Sequence, residues 1–223
     1  MIATAWLAGS VPFSNLIARA RANTDLRHVG SGTVSGTSLY TVAGFGPLAV
    51  AGVSDVAKGA TGPLLAGPER PALAAIAGAA GVAGHNWSPF LEGAGGRGIS
   101  VAMGALAVHN WPGTAVLAAG LAGGRLARQT GLGSFVAAVA LAPTLAWRRG
   151  RSGALAGGLI AGFMLAKRVV GNRPPETRDW RTYLHRLLYD RDPTDELTST
   201  QDRQAARGGS VSATTRNEVA SWQ

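Results

Sequence analysis

The chain has 223 residues, no cysteine and a formal charge of +9, with 46% hydrophobic and only 15% charged residues. The lack of cysteine excludes a disulfide framework and a thiolate metal site. The basic residues flank apolar stretches instead of forming one soluble face, which argues against nucleic acid and for anionic lipid headgroups.

Mean hydropathy is +0.13, a value lowered by the polar end of the chain, since charges are sparse between residues 29 and 170. The 32 glycines would weaken soluble helices, but small residues let membrane helices approach closely. Spans are predicted over 2–18, 44–66, 72–87, 99–110, 113–126, 134–147 and 153–170. The expected fold is an all-α, polytopic membrane protein of about seven transmembrane helices. Segment 99–110, followed by Pro112 and Gly113, also fits a re-entrant piece or half of a broken helix. The start, "MIATAWLAGSVPF", lacks the basic opening of a secretory signal and is read as a retained first span. Positive-inside counting favours N-out/C-in, with Arg19, Arg27, Arg97, Arg125, Lys167 and Arg168 on the cytoplasmic side and the run at 148–151 as the main dissent. The domain reading is a transmembrane domain over 1–171, a cytoplasmic amphipathic segment over 172–196 and a polar, disordered tail over 197–223.

Four features open towards the cytoplasmic side. Gly9-Ser10-Val11-Pro12 places a proline in the first span, which frees a carbonyl and bends the helix around a hydroxyl. It fits either a plain kink or a site for Ser10. Next, "DLRHVGSGTVSGTSLY" joins Arg27 to Gly30, Ser31, Gly32 and Thr37, a set suited to phosphate through a bidentate guanidinium and an amide nest. A flexible interhelical loop is the competing reading. Third, Asp55 and Lys58 lie i, i+3 within an apolar span, so they share a face as a structural or a catalytic pair. Last, "GHNWSPFLEGAGGRGIS" carries His85 and the loop Gly95-Gly96-Arg97-Gly98 directly before an apolar helix, whose N-terminus would add amides and partial positive charge to Arg97. No second histidine or acid stands at metal-ligand spacing from His85, so no metal and no cofactor are expected.

These stretches, "GSVPFSNLI", "DLR", "GSG", "DVAKG" and "GHNWSPFLEGAGGRG", resemble the bacterial acyl-phosphate-dependent glycerol-3-phosphate acyltransferases in order and spacing across residues 2–170. The resemblance implies a seven-helix enzyme of the bacterial plasma membrane, with its site on the cytoplasmic face. It would move an acyl chain from acyl phosphate to the first hydroxyl of glycerol 3-phosphate, giving lysophosphatidate. Membrane lipids and the enzyme that supplies acyl phosphate are the further partners implied. It carries over catalytic roles to Ser10 and Arg27, with His85 positioning. Substrate binding falls to Gly30, Ser31, Gly32, Thr37, Lys58, Gly95, Gly96, Arg97 and Gly98, and Ser134 in "LGS" is a weaker match. Arg97 stands where the family usually has lysine, and Trp180 and Tyr183 stand where it has histidine and asparagine before "RLL". His185 is a candidate to compensate. A non-catalytic relative that binds lipid phosphate or acts as a scaffold is the rival reading, and a small transporter ranks last.

Overall fold

The first predicted span is broken in two. In the computed structural model, which describes residues 1–175 and 177–192, α1 (Ile2–Ser10) and α2 (Phe13–Ala22) are separate helices. Pro12 lacks an N–H and disfavours a helical residue before it, so Val11 is extended and Pro12 sits at φ −90° and ψ 68°. The tail expected over 197–223 lies outside the described residues.

After a 3-10 turn at Leu26–His28 come α3 (Gly36–Ala43), α4 (Phe45–Ala66) and α5 (Pro71–Asn86). A second 3-10 turn at Pro89–Leu91 leads to α6 (Ile99–His109), α7 (Trp111–Leu126), α8 (Thr130–Val170) and α9 (Trp180–Tyr189). No strand occurs among the described residues. Predicted spans 44–66 and 72–87 match α4 and α5 to within a residue at each end. Segments 99–110 and 113–126 become α6 and α7, which meet at Asn110.

α8 accounts for the last two predicted spans. Gly150 breaks its helical geometry at φ 64° and ψ −145°, a left-handed φ that a side chain would oppose. The arm 151–170 folds back on 130–149: a Cβ on Gly153 would meet the Leu145 carbonyl at 2.3 Å, and one on Gly157 would meet Leu141 at 2.9 Å. Each arm holds about 20 residues, the length that crosses about 30 Å of hydrocarbon. Among the described residues α8 is the one helix long and apolar enough to cross a membrane by length and composition.

Glycines set the helix packing. A Cβ on Gly9 would fall 2.1 Å from the Gly81 carbonyl oxygen, joining α1 to α5. Gly59 and Gly104 do the same for α4 and α6, each facing a backbone oxygen of the other helix (Val101 at 2.0 Å, Val56 at 1.9 Å). Such contacts are backbone on backbone, which only the smallest residue allows. The main apolar core lies among α5, α6, α7 and α8, around Val82, Val101, Leu106, Leu117, Leu141 and Ile160.

α9 is the amphipathic helix expected after residue 172, and it docks on α8. Its N-cap Asp179 accepts from the Thr182 N–H at 2.7 Å. Thr182 and Arg186 face inward, while Trp180 (69% exposed) and Leu184 (43%) face out. Trp180 and Leu184 thus lie on the outer face of α9, while Thr182 and Arg186 make intramolecular contacts.

Candidate functional site

The break between α1 and α2 exposes two carbonyls, and both are taken by side chains from elsewhere. Lys58 Nζ donates to the Val11 oxygen at 2.6 Å, and Ser88 Oγ donates to the Ser10 oxygen at 2.6 Å. Buried carbonyls must be paired, so a proline break in one helix recruits a lysine from α4 and a serine from the 84–98 loop. Lys58 Nζ also lies 2.8 Å from Asp55 Oδ1, the i, i+3 pair read from the sequence, and 5.6 Å from the Phe13 ring centre. His85 Nδ1 is 3.9 Å from the same Asp55 oxygen. Both members of the pair are buried. Ser10 is fully buried, with Oγ donating to the Trp6 oxygen at 2.7 Å, the hydroxyl-to-own-helix bond that the kink reading anticipates.

Around this point the chain leaves a cleft of about 10 Å³, lined by Ser10, Ser14, His85, Ser88, Gly95 and Gly96 among others. That is room for about one water. Gly96 has no space for a side chain: its Cβ would lie 2.2 Å from His85 Nε2 and 2.8 Å from the Val34 oxygen. Sharing Pro12 and Leu91 with the cleft is a groove of about 260 Å³, completed by Val11, Asn15, Leu16, Arg19 and Phe90.

On the other side of the glycine loop lies a cationic cavity of about 140 Å³. Arg97, Arg168, Arg173, Arg186 and Arg191 line it with Gly30, Ser31, Asn172, Asp190 and Asp192. Asn172 ties its two glycine loops together. Its Nδ2 donates to the Gly32 oxygen at 3.0 Å and the Gly95 oxygen at 2.8 Å, while Oδ1 accepts from the Gly95 N–H at 3.1 Å. Arg173 adds bonds to the Gly30 and Arg27 oxygens. Arg97 Nη1 donates to the Lys167 oxygen at 3.0 Å, and its Nε lies 2.7 Å from Asp190 Oδ1, an ion contact without hydrogen-bond geometry. Arg168 reaches the Leu187 oxygen at 2.8 Å, the Gly131 oxygen at 2.9 Å and Ser134 Oγ at 2.5 Å. Arg186 pairs with Asp192 and donates to the Val170 oxygen at 3.3 Å.

The sequence-derived residues thus divide. Gly30, Ser31 and Arg97 line the cationic cavity, Ser134 supports it through Arg168, and Gly32 is held at its edge by Asn172. Ser10, His85, Gly95 and Gly96 line the cleft, and Lys58 buttresses it.

Four of the expected groups are already paired or stand away from the cationic cavity. The glycine amides are not an open nest: the Gly95 N–H is held by Asn172 and the Gly96 N–H by the His85 oxygen, because both are buried and must be paired. Arg27 does not line the cationic cavity. Its guanidinium is bound to Asp25 at 2.9–3.2 Å and lies 3.3 Å from Glu92. Hydrogen bonds from Arg27 hold the Asp25 carboxyl well below the usual carboxylate range, with burial opposing and Arg19 adding. The same pairing raises Arg27 further. Thr37 is exposed on the first turn of α3. His185 does not line the cavity either; its ring packs against Tyr189 and Nδ1 meets the Arg191 oxygen at 2.9 Å.

Lys167, Asn172 and Arg173 were missed as site residues. Lys167 is fully buried, its Nζ 5.3 Å from the Trp87 ring centre and 3.5 Å from the Gly93 oxygen. In the sequence Lys167 and Arg173 read as charges that orient the last span, and Asn172 carried no reading. The signal available was an asparagine and an arginine, "GNR", two residues after the span's own "KR".

Glycine loops close a cationic cavity inside a helical bundle, an arrangement suited to holding an anion. The sequence model of the Glycerol-3-phosphate acyltransferase family matches residues 1–172, and the chain belongs to that family. A glycerol-3-phosphate acyltransferase of Synechococcus sp. (strain CC9902) is 33% identical over 168 residues, 74% of this chain and 84% of that protein. One from Dinoroseobacter shibae is 32% identical over 166 residues, 72% and 80% of the two chains. The match to the Shouchella clausii enzyme is 38% identical over 106 residues, 46% of this chain, and spans about half, 52%, of that relative's length. The fold is similar to that of PlsY (YgiH), an integral membrane glycerol 3-phosphate acyltransferase in its glycerol 3-phosphate form, with a TM-score of 0.70, 24% identity and coverage of 86% and 92%. The family match ends at residue 172, before α9.

Proposed function

We propose that the chain transfers an acyl group from acyl phosphate to the sn-1 hydroxyl of glycerol 3-phosphate, releasing lysophosphatidate and inorganic phosphate. The carrying observation is the order of three spaces: apolar groove, Ser10–His85 cleft, cationic cavity. The groove and cleft share Pro12 and Leu91, and the Gly95–Gly96 wall of the cleft runs straight into Arg97 of the cavity. An acylated phosphate needs that order, with the chain in the groove, the carbonyl at the cleft and phosphate groups among the arginines.

Acyl phosphate is already activated, so positioning and charge compensation supply most of the acceleration. The glycerol hydroxyl attacks the acyl carbon, the bond from that carbon to the phosphate oxygen breaks, and a phosphate oxygen takes the hydroxyl proton. Ser10 Oγ spends its proton on Trp6, which leaves its lone pairs to accept from the substrate hydroxyl. Arg97, with Arg168 and Ser134 behind it, holds phosphate charge; Arg27, clamped by Asp25, sets the loop that carries Gly30, Ser31 and Gly32. His85 positions the Gly96 wall.

Residues 1–171 are the membrane-embedded domain of a bacterial plasma-membrane protein, with seven spans and an N-out/C-in topology that puts the cavity on the cytoplasmic face. There it meets glycerol 3-phosphate and the enzyme that supplies acyl phosphate. A purified, lipid-embedded chain given palmitoyl phosphate and labelled glycerol 3-phosphate forms lysophosphatidate, and Arg97→Ala loses at least about 10²-fold in kcat/KM. No product above that variant sinks the reading. A non-catalytic phosphate-binding relative is the second reading, favoured by the carboxylates already placed on Arg27 and Arg97; binding of glycerol 3-phosphate without turnover is its signature.

A further inference from the structure

The segment after residue 172 lies beyond the family match, yet it supplies Arg186, Asp190, Arg191 and Asp192 to the cationic cavity. Asp190 stands out because it faces the arginine that the glycine loop carries. We infer that Asp190 is a positioning residue for Arg97, and that α9 thereby completes the anion site.

Arg97 is a long side chain on the glycine loop, between Gly96 and Gly98. Three features fix it. Nη1 is held by the Lys167 oxygen at 3.0 Å, Nε faces Asp190 Oδ1 at 2.7 Å, and the side chain is 12% exposed. Nη2 has no protein partner among the described residues and remains as the donor for an anion. Without the carboxylate, Arg97 would face Lys167 and Arg168 with no acid against its own guanidinium, and would swing towards solvent.

Asp190 is itself held by the fold. It caps α9 at φ 64°, with its N–H on the Arg186 oxygen at 2.9 Å. The end of α9 is pinned by Arg168 at the Leu187 oxygen, and Arg186 reaches the Val170 oxygen. The carboxylate is therefore a fixed object, and a fixed guanidinium spends less ordering entropy when phosphate arrives. A lysine at this place would offer one point charge in place of a fork that can hold two partners and still present an edge.

The inference rests on the acyltransferase reading for the identity of the anion, and its test separates the two. Equilibrium binding of labelled glycerol 3-phosphate to the purified full chain in lipid is measured beside turnover with palmitoyl phosphate. Asp190→Asn is expected to weaken binding about tenfold and to raise KM by a similar factor, with a smaller effect on kcat. Asp190→Glu restores most of the affinity, and in an Arg97→Ala background Asp190→Asn changes nothing further. The proposal is overturned by unchanged binding in Asp190→Asn or by no binding in the wild type. An equal loss in the Arg97→Ala background, the mark of a merely structural role, overturns it as well. So does tighter binding in Asp190→Asn, which would make the carboxylate a competitor for the anion. If Asp190→Asn does not fold, the Asp190→Glu variant with and without Arg97→Ala carries the same comparison, with a coupled loss expected. The coupled pattern without any lysophosphatidate upholds the proposal and rejects the acyltransferase reading.

Discussion

Replacing Asn172 by aspartate changes one NH₂ into an oxygen and almost nothing in shape, yet it reverses two of three hydrogen bonds. The Nδ2 donations to the Gly32 and Gly95 oxygens, at 3.0 and 2.8 Å, become contacts between a carboxylate and two carbonyls. The acceptance from the Gly95 N–H survives. Each lost bond is worth about 1 kcal/mol, and each carbonyl left facing an acceptor adds about as much again. Because Asn172 is half-buried, water recovers part of this, and a net cost of about 2–4 kcal/mol follows. For a chain of this size that lowers Tm by about 5–10 °C. The assay is thermal unfolding of the lipid-solubilised protein beside glycerol 3-phosphate binding, since the two loops wall the cationic cavity and part company when the tie fails. Asn172→Asp melting within about 1 °C of the wild type, with unchanged binding, would refute the view that one amide sets the width of the site.

Three other outcomes follow from the packing and charges. Lys58→Met leaves the buried Asp55 carboxylate without its cation and the Val11 carbonyl without its donor, a loss of about 3–5 kcal/mol in thermal unfolding. Asp55→Leu combined with Lys58→Met recovers most of it, because the uncompensated charge is then gone. Gly59→Ala places a methyl 2.0 Å from the Val101 oxygen, so α4 and α6 must separate; the expected loss is about 2 kcal/mol or more, read as a lower Tm, while Gly52→Ala on the same helix, with open space around it, is neutral. Asp25 is depressed by Arg27, so the clamp contributes fully above its unfolded pKa of about 4 and is lost as pH falls below that. The Tm difference between wild type and Asp25→Asn should hold from pH 7 to about 5, begin to narrow near pH 4 and close only below the depressed folded-state pKa.

Helix positions were largely legible because long apolar runs end at glycine or proline, as at Gly44, Pro71 and Gly171. The split of the first span was half visible: Pro12 announced a bend, but the extended Val11 depends on Lys58 and Ser88 arriving to satisfy the freed carbonyls. In the site, Arg97 and the Gly30–Gly32 loop were readable as candidate anion ligands from residue type and spacing, and the fold brings Arg97, Gly30 and Ser31 to one cavity. Their partners were not, since Asn172 and Asp190 lie 77 and more residues away in sequence and reach Gly95 and Arg97 only through the fold. The pairing of the Gly95 and Gly96 amides was hidden for a related reason. A glycine run advertises backbone access, but only the fold reveals whether a neighbouring side chain has filled it.

The cationic cavity has a further property that follows from what its side chains hold. Arg97 binds the Lys167 oxygen and Arg186 the Val170 oxygen at the end of α8, and Arg168 binds the Leu187 oxygen at the end of α9. Two helices thus point their C-terminal, partially negative ends at the arginines. The pull on an anion is weaker than the number of guanidinium groups suggests. On the proposed acyl-transfer reading, that weakening favours release of a doubly charged phosphate between turnovers.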